Sequence, residues 1–146
     1  MIIETIYSKI KSDKILHLVY RGSKNEEKNS RYDLIDASNF IQCSVLNMDK
    51  GKTFVPHRHI FKKRTYEKQI AQESWVVIKG KVECTFYDLD DTILETKILN
   101  PGDVSFTLEA GHNYKILEDD TLVYEYKTGP YEGQKLDKTF LTKDKV

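Results

Sequence analysis

Two histidines separated by a single residue, His57 and His59, are the clearest chemical signal in this chain of 146 residues. They lie in a run, Thr53 to His59, whose composition predicts a β-strand, and alternate side chains of a strand point to the same face. We therefore expect both imidazoles on one face and Arg58 on the other. Zinc, iron, nickel and copper all accept imidazole ligands, so the pair predicts half of a metal site.

A carboxylate and a third histidine complete the predicted ligand set. Glu73 opens a short apolar strand that ends at the turn Lys79-Gly80, and His112 follows a turn that ends at Gly111. Three imidazoles and one carboxylate suit a divalent ion (zinc, iron(II), nickel or manganese) with one position open. The alternative is structural, because a histidine on a strand more often packs or faces solvent than binds metal. His17, between two leucines, is interpreted in that way.

A basic stretch follows the histidine pair, and it contains Lys62, Lys63, Arg64 and Lys68. Beside a metal it could hold a substrate phosphate or carboxylate, and Arg64 is the best candidate because guanidinium binds such groups in a bidentate manner. The alternative is a solvated charged loop.

Charged and aromatic residues alternate near the end of the last predicted strand. Glu125 and Lys127 alternate with Tyr124 and Tyr126, so one pair must face inward. An inward charged pair would line a pocket, with Glu125 as acid or base and Lys127 as substrate ligand. A solvated charged face is the more common arrangement.

Short runs rich in β-forming residues recur from Asn39 onward, with turn signals between them. The predicted strands are Phe40 to Met48, Thr53 to His59, Ser74 to Ile78, Lys81 to Tyr87, Ile93 to Leu99, Val104 to Leu108, His112 to Leu117 and Thr121 to Tyr126. Eight short strands with tight turns predict an all-β fold, an antiparallel sandwich or barrel. Trp75, Tyr87 and Tyr114 are expected in its core.

The chain length fits one domain, which divides into an N-terminal arm (1–35), a β-barrel (36–128) and a C-terminal tail (129–146). Ile2, Ile3, Ile6 and Ile10 have a loosely helical spacing, whereas Ile15 to Tyr20 resembles a strand. The tail is expected to dock through Leu136, Phe140 and Leu141 and to fray at its end.

Lys plus Arg equal Asp plus Glu, 23 against 23, so charge gives no reason to expect nucleic acid or an anionic membrane as partner. Cys43 and Cys84 lack metal-binding or redox spacing and are expected to be buried free thiols. Charged residues interrupt the N-terminus, where a signal peptide would be apolar, so a cytoplasmic location is expected.

The residues around the histidine pair resemble the first motif of the cupins, which are small antiparallel jelly-roll barrels. Gly51 is followed by five residues and then His57 and His59, and Glu73 is followed by six residues and then Gly80, as in that motif. The spacer between the two halves, 13 residues from Ile60 to Gln72, is longer than in the family. A longer surface connection costs little chain entropy, so the site can survive it.

The second cupin motif is matched less regularly. Gly102 is present and Pro101 precedes it, but His112 lies one place before the position of the motif histidine. The resemblance assigns the third ligand to His112, because loss of one turn residue would restore its face. Alignment on Gly111 instead would give that position to Tyr114.

The ending, Glu125 to Tyr131 with Asp137, Lys138 and Phe140, is similar to single-domain cupin metalloproteins encoded with bacterial O-antigen and capsule genes. The resemblance implies a metal-dependent isomerase or epimerase that acts on a sugar or nucleotide sugar, and a homodimer. One alternative is a metal-free nucleotide-sugar ketoisomerase that uses His57 and His59 as acid and base. Another is a binding module for a sugar or other small ligand, without catalysis.

Overall fold

The computed structural model of the chain describes residues 2–22, 27–59, 70–129 and 133–141, and within these ranges it is built almost entirely of β-strands. The strands are β1 (Ile2–Tyr7), β2 (Ile15–Arg21), β3 (Ser30–Asp33), β4 (Ser44–Asn47), β5 (Glu73–Lys79), β6 (Val82–Tyr87), β7 (Ile93–Leu99), β8 (Val104–Thr107), β9 (His112–Ile116) and β10 (Leu122–Lys127). One helical turn, α1 (Gln134–Asp137), follows them. The predicted all-β class is confirmed.

The strands form three sheets in which every described pair is antiparallel. A five-stranded sheet has the order β1-β2-β8-β5-β10, a three-stranded sheet has the order β7-β6-β9, and β3 pairs with β4. From β5 onward the chain changes sheet at each connection except the β6–β7 hairpin. As a result, residues from well-separated strands become neighbours.

The five-stranded and three-stranded sheets face each other and share one apolar core. Val19 and Val77 from the first sheet pack with Val82, Cys84 and Phe86 from the second, and these five residues are fully buried. Because side chains alternate along a strand, their neighbours two places away also point into the space between the sheets. This alternation determines which polar residues can reach the interior.

A second apolar cluster covers the outer face of the five-stranded sheet. Leu18 and Phe106 of that sheet pack against Leu34, Ile35 and Ile41, which lie between β3 and β4. The buried Gln72 side chain anchors this layer, since it accepts a hydrogen bond from the Ile41 backbone and donates one to the Leu108 carbonyl oxygen. Residue 72 immediately precedes β5, so the layer also holds the start of that strand.

One predicted strand is wrong: the residues from Thr53 to His59 form none and are exposed. Pro56, at the centre of this run, has no backbone N–H to donate to a ladder. The run is therefore a poor strand despite its apolar residues, Phe54 and Val55, which are 58% and 84% exposed.

The predicted N-terminal arm contributes two strands to the larger sheet. Ile15 to Tyr20 lies in β2, as expected, but the loosely helical interpretation of the first ten residues is wrong because Ile2–Tyr7 is strand β1. β1 pairs with β2, and β2 pairs with β8. No helix in the described ranges is long and apolar enough to span a bilayer.

The turn between β5 and β6 explains why the sequence places glycine there. Gly80 has φ +82°, and a Cβ at this position would lie 2.8 Å from the Thr121 Cα. Only glycine combines that backbone conformation with so close an approach. The predicted turn at Lys79-Gly80 is confirmed.

Candidate functional site

Glu73 and His112 meet between the two facing sheets. Glu73 begins β5 and His112 begins β9, where it lies opposite the buried Phe86 of β6. Both side chains point inward, and His112 Nε2 is 3.0 Å from Glu73 Oε1. The carboxylate is 11% exposed and the imidazole 22%. Two of the four predicted metal ligands are therefore in contact.

The charges around this pair keep Glu73 ionised. Burial by itself raises the pKa of the Glu73 carboxyl, but the His112 hydrogen bond and the charges of His112, Lys138 and Lys127 bring that pKa below its ordinary value. A carboxylate only accepts hydrogen bonds, so His112 donates from Nε2. His112 Nδ1 is buried without a hydrogen-bond partner among the described residues.

A row of polar side chains crosses the inner face of the five-stranded sheet. In the strand registers, His17 lies opposite Thr107, Thr107 opposite Glu73, and Glu73 opposite Lys127. Cross-strand partners share a face, so all four side chains point toward the facing sheet. Lys127 and Glu125 therefore form the inward pair of β10, whereas Tyr124 and Tyr126 are on the outer face and are 51% and 58% exposed.

His17 is fully buried in this row and has a defined tautomer. Its Nε2 is 2.9 Å from the Tyr87 carbonyl oxygen, which can only accept, so Nε2 carries the hydrogen. Burial is the main cause that lowers the pKa of His17 to about 4, so the ring is neutral at pH 7. Its Nδ1 then accepts from Thr107 Oγ1 at 3.2 Å. The interpretation of His17 as a packing residue is consistent with its contact with Phe86.

His17 should make the stability of the protein depend on pH near neutrality. Its pKa falls from an ordinary 6.5 to about 4 on folding, so its contribution is complete above pH 6.5 and is lost as the pH falls toward 4. We expect the free energy of unfolding to be about 2 kcal/mol lower at pH 5 than at pH 7 because of this residue alone. Urea denaturation at the two pH values measures the difference.

His17→Gln should remove most of that difference, since glutamine does not titrate. His59→Gln is the matched control for the substitution itself, because His59 is exposed. If the free energy of unfolding falls by the same amount between pH 7 and pH 5 in wild type and in His17→Gln, His17 is not the source of the pH dependence.

The C-terminal segment closes one end of the space between the sheets. Lys127 Nζ is 2.8 Å from Asp137 Oδ2, and these side chains are only 17% and 11% exposed. Leu141 packs so closely on Gly111 that a Cβ there would lie 2.9 Å from it. Leu141 therefore docks on the domain as expected. Leu136 and Phe140 are 77% and 70% exposed, so the prediction that they anchor the tail is wrong.

A cavity of about 590 Å³ lies between this segment and the sheets. Its lining includes Glu73, His112, Thr107 and Lys127, with Asp137 and Lys138 from the C-terminal segment. Cavities of this size hold small organic ligands. A ligand in this cavity would lie beside the Glu73–His112 pair.

An aromatic pair adjoins the site, two residues farther along each of the strands that carry Glu73 and His112. Trp75 and Tyr114 stack with ring centroids 4.0 Å apart. Trp75 Nε1 donates to Glu125, and the Tyr114 hydroxyl lies 2.9 Å from Ser105 Oγ. As expected, both rings pack against the core. They hold the interior faces of β5 and β9 at a fixed separation, and thus hold Glu73 and His112.

The thiols are both free, as predicted: Cys84 is buried and Cys43 partly buried. Burial raises the pKa of each, and that of Cys84 most strongly. Neither is a reactive thiolate at neutral pH.

The histidine pair lies apart from the core. His57 and His59 are exposed, with ring centroids 5.4 Å apart, and His57 Nδ1 lies 2.9 Å from the Val55 carbonyl oxygen. No group of three or more metal-binding side chains occurs among the described residues. The donor types suit a divalent ion, but in the described positions only Glu73 and His112 converge, so the four-ligand site stays a prediction. Arg64 lies outside the described residues.

Sequence reasoning missed two contributors to the site. Thr107 ends a buried strand and carries no motif, so only its register with Glu73 identifies it. Asp137 lies in the tail that was expected to dock and to fray only at its end, and it was named only as part of the family resemblance. Nothing in the neighbouring sequence indicated its buried ion pair with Lys127.

Comparison with protein-family models, with curated proteins and with solved structures found no significant match.

Proposed function

We propose that the chain is a jelly-roll protein of the cupin type that moves a proton on a sugar or nucleotide-sugar substrate, with Glu73 as the group that carries the proton and His112 as its hydrogen-bonding partner. The strand order supports the fold. β5, β8 and β10 share one sheet while β6, β7 and β9 share the facing one, which is the alternation that two Greek keys produce.

The observation that carries the proposed reaction is the contact between Glu73 Oε1 and His112 Nε2, 3.0 Å apart, at the wall of the cavity. A carboxylate that stays ionised in a partly dry site is a suitable base: it takes the proton from carbon and, once protonated, returns it at the neighbouring position, while His112 Nε2–H holds the carboxylate in place. Such a pair suits isomerisation or epimerisation next to a carbonyl group, where one proton leaves carbon and another is returned.

Lys127 supplies a positive charge at the same wall. It lies opposite Glu73 in the strand register, and Asp137 holds its ammonium group. As the proton leaves carbon, negative charge develops on the substrate oxygen, and a fixed cation nearby stabilises that charge. The choice of a sugar of surface-polysaccharide biosynthesis rests on the resemblance of the sequence to cupins.

A second candidate keeps the same substrate and adds a divalent metal held by Glu73, His112, His57 and His59. The convergence of Glu73 and His112 favours it, because these are two of the predicted ligands. When bound, the ion would act as a Lewis acid on the substrate carbonyl. His57→Ala separates the candidates: it should remove bound metal and turnover together in this version, and leave turnover intact in the first.

The test is a screen of sugars and nucleotide sugars in D2O with the full chain, followed by proton NMR. The proposal predicts that at least one substrate exchanges a carbon-bound proton for deuterium at a rate that depends on Glu73. If ligands bind but none exchanges, a binding module without catalysis replaces the enzyme. Metal content, measured after purification without chelator, assigns a positive result to one of the two candidates.

A further inference from the structure

The buried His17 determines the hydrogen-bond direction of one group in the cavity wall, the Thr107 hydroxyl. Because His17 Nε2 donates to the Tyr87 carbonyl oxygen, its Nδ1 must accept, and the Thr107 hydroxyl must donate to it. Thr107 therefore points its hydrogen away from the cavity that it lines and offers only oxygen lone pairs to a ligand. Glu73 Oε1 accepts from His112, and its second oxygen is also an acceptor only.

The formal charges of the lining favour a cation. Five lining residues carry carboxylates and two carry ammonium groups: Glu73, Asp88, Asp91, Glu109 and Asp137 against Lys127 and Lys138. Two of the carboxylates are neutralised by ion pairs, Glu109 with Lys14 and Asp137 with Lys127. Asp88 is buried and its carboxylate accepts from Ser8, Lys9 and Leu89, so the carboxylates left for a ligand are those of Glu73 and Asp91, against the single ammonium group of Lys138 among the described lining residues.

From these two independent observations we infer that the cavity binds an amine-bearing sugar, whose ammonium group lies near Asp91 and whose hydroxyl groups donate to Thr107 and Glu73. An ammonium group carries only donors, so it matches a wall of acceptors and an excess of negative charge. A diphosphate group would meet an excess of like charge there. The inference rests on the proposed function and narrows its substrate class to amino sugars.

The experiment is an NMR titration of the full-length, ¹⁵N-labelled protein at pH 7 and low salt. The probes are galactosamine and glucosamine, the neutral galactose and glucose, and galacturonate. We expect each amino sugar to bind at least about tenfold more tightly than its neutral counterpart, because one charge-assisted hydrogen bond contributes about that factor. Galacturonate should bind most weakly, and the shifted amide signals should include Thr107 and Asn113.

Two variants test the contributing groups. Asp91→Asn should weaken amino-sugar binding about tenfold and leave neutral-sugar binding unchanged, whereas Asp49→Asn, at an exposed position away from the cavity, should change neither. Thr107→Val should also weaken binding of the amino sugars, and Thr107→Ser should restore it. Thr107→Val replaces only the hydroxyl group, and Thr107→Ser keeps it while it removes the methyl group, so the two variants separate the effects of these groups.

The outcomes distinguish this inference from the proposed function. Neutral sugars or galacturonate could bind as tightly as the amino sugars, or more tightly, while turnover still depends on Glu73. That result would overturn the amino-sugar assignment and leave the proposed function in place. Preferential binding of amino sugars without turnover of any sugar would support the assignment and remove the catalytic proposal. Absence of all sugar binding would overturn both.

Discussion

Glu73→Gln is expected to lower the rate of solvent-deuterium incorporation into the substrate by about 10²- to 10⁴-fold, the usual contribution of a general base. Glutamine has nearly the same shape, and its carbonyl oxygen can still accept the hydrogen bond from His112 Nε2. The packing of β5 should therefore persist while the proton acceptor is lost. Proton NMR of the substrate in D2O measures the rate.

Glu83→Gln is the matched control for this substitution. Glu83 lies on β6 between the inward-facing Val82 and Cys84, so its side chain points away from the cavity. Its replacement should leave the rate unchanged within about twofold. A Glu73→Gln rate close to that of the control, with substrate still bound, would assign the base to another residue.

Asp88→Ala is expected to lower the free energy of unfolding by about 3 kcal/mol, because buried donors lose their acceptor. Asp88 is 1% exposed and accepts hydrogen bonds from the Ser8 hydroxyl at 2.6 Å and from the Lys9 and Leu89 backbones at 2.7 Å each. Burial alone would raise the pKa of Asp88, but these donors bring it below its ordinary value. The carboxylate thus fastens the end of β1 to the end of β6.

Urea denaturation at pH 7 measures the effect, and Asp119→Ala provides the comparison. Asp119 is exposed in the turn before β10, so its replacement should change stability by less than about 0.5 kcal/mol. Similar losses in the two variants would show that Asp88 has no special structural role.

The strands from β5 onward could be predicted because each is bounded by local turn signals. Gly80 closes β5, and Asn100, Pro101 and Gly102 separate β7 from β8. The run from Thr53 to His59 contains similar residues and yet forms no strand. A strand is stabilised by a partner, and composition does not reveal whether a partner exists.

The site could be predicted only in part, and for the same reason. Glu73 and His112 were found because they combine reactive side chains with turn residues of a known motif. His17 contacts the cavity-lining Thr107 only because β2 pairs with β8. The two residues are 90 positions apart in the chain. Sequence separation of this size leaves no local pattern. The inward direction of Lys127 likewise follows from its register with Glu73, since alternation alone allowed either face.

The position of Asp137 and Leu141 against the cavity has a consequence for biosynthesis. During translation Glu73 and His112 leave the ribosome well before residues 133–141, so their pairing can precede the wall that contains Asp137. Until then the Lys127 ammonium group lacks this counter-ion and the cavity is open on that side. Domains generally fold as units during synthesis, and here residues 133–141 complete the cavity wall after all the strand residues have been made. A released chain that ends at residue 132 would thus contain the residues of all ten described strands and still lack this wall of the cavity.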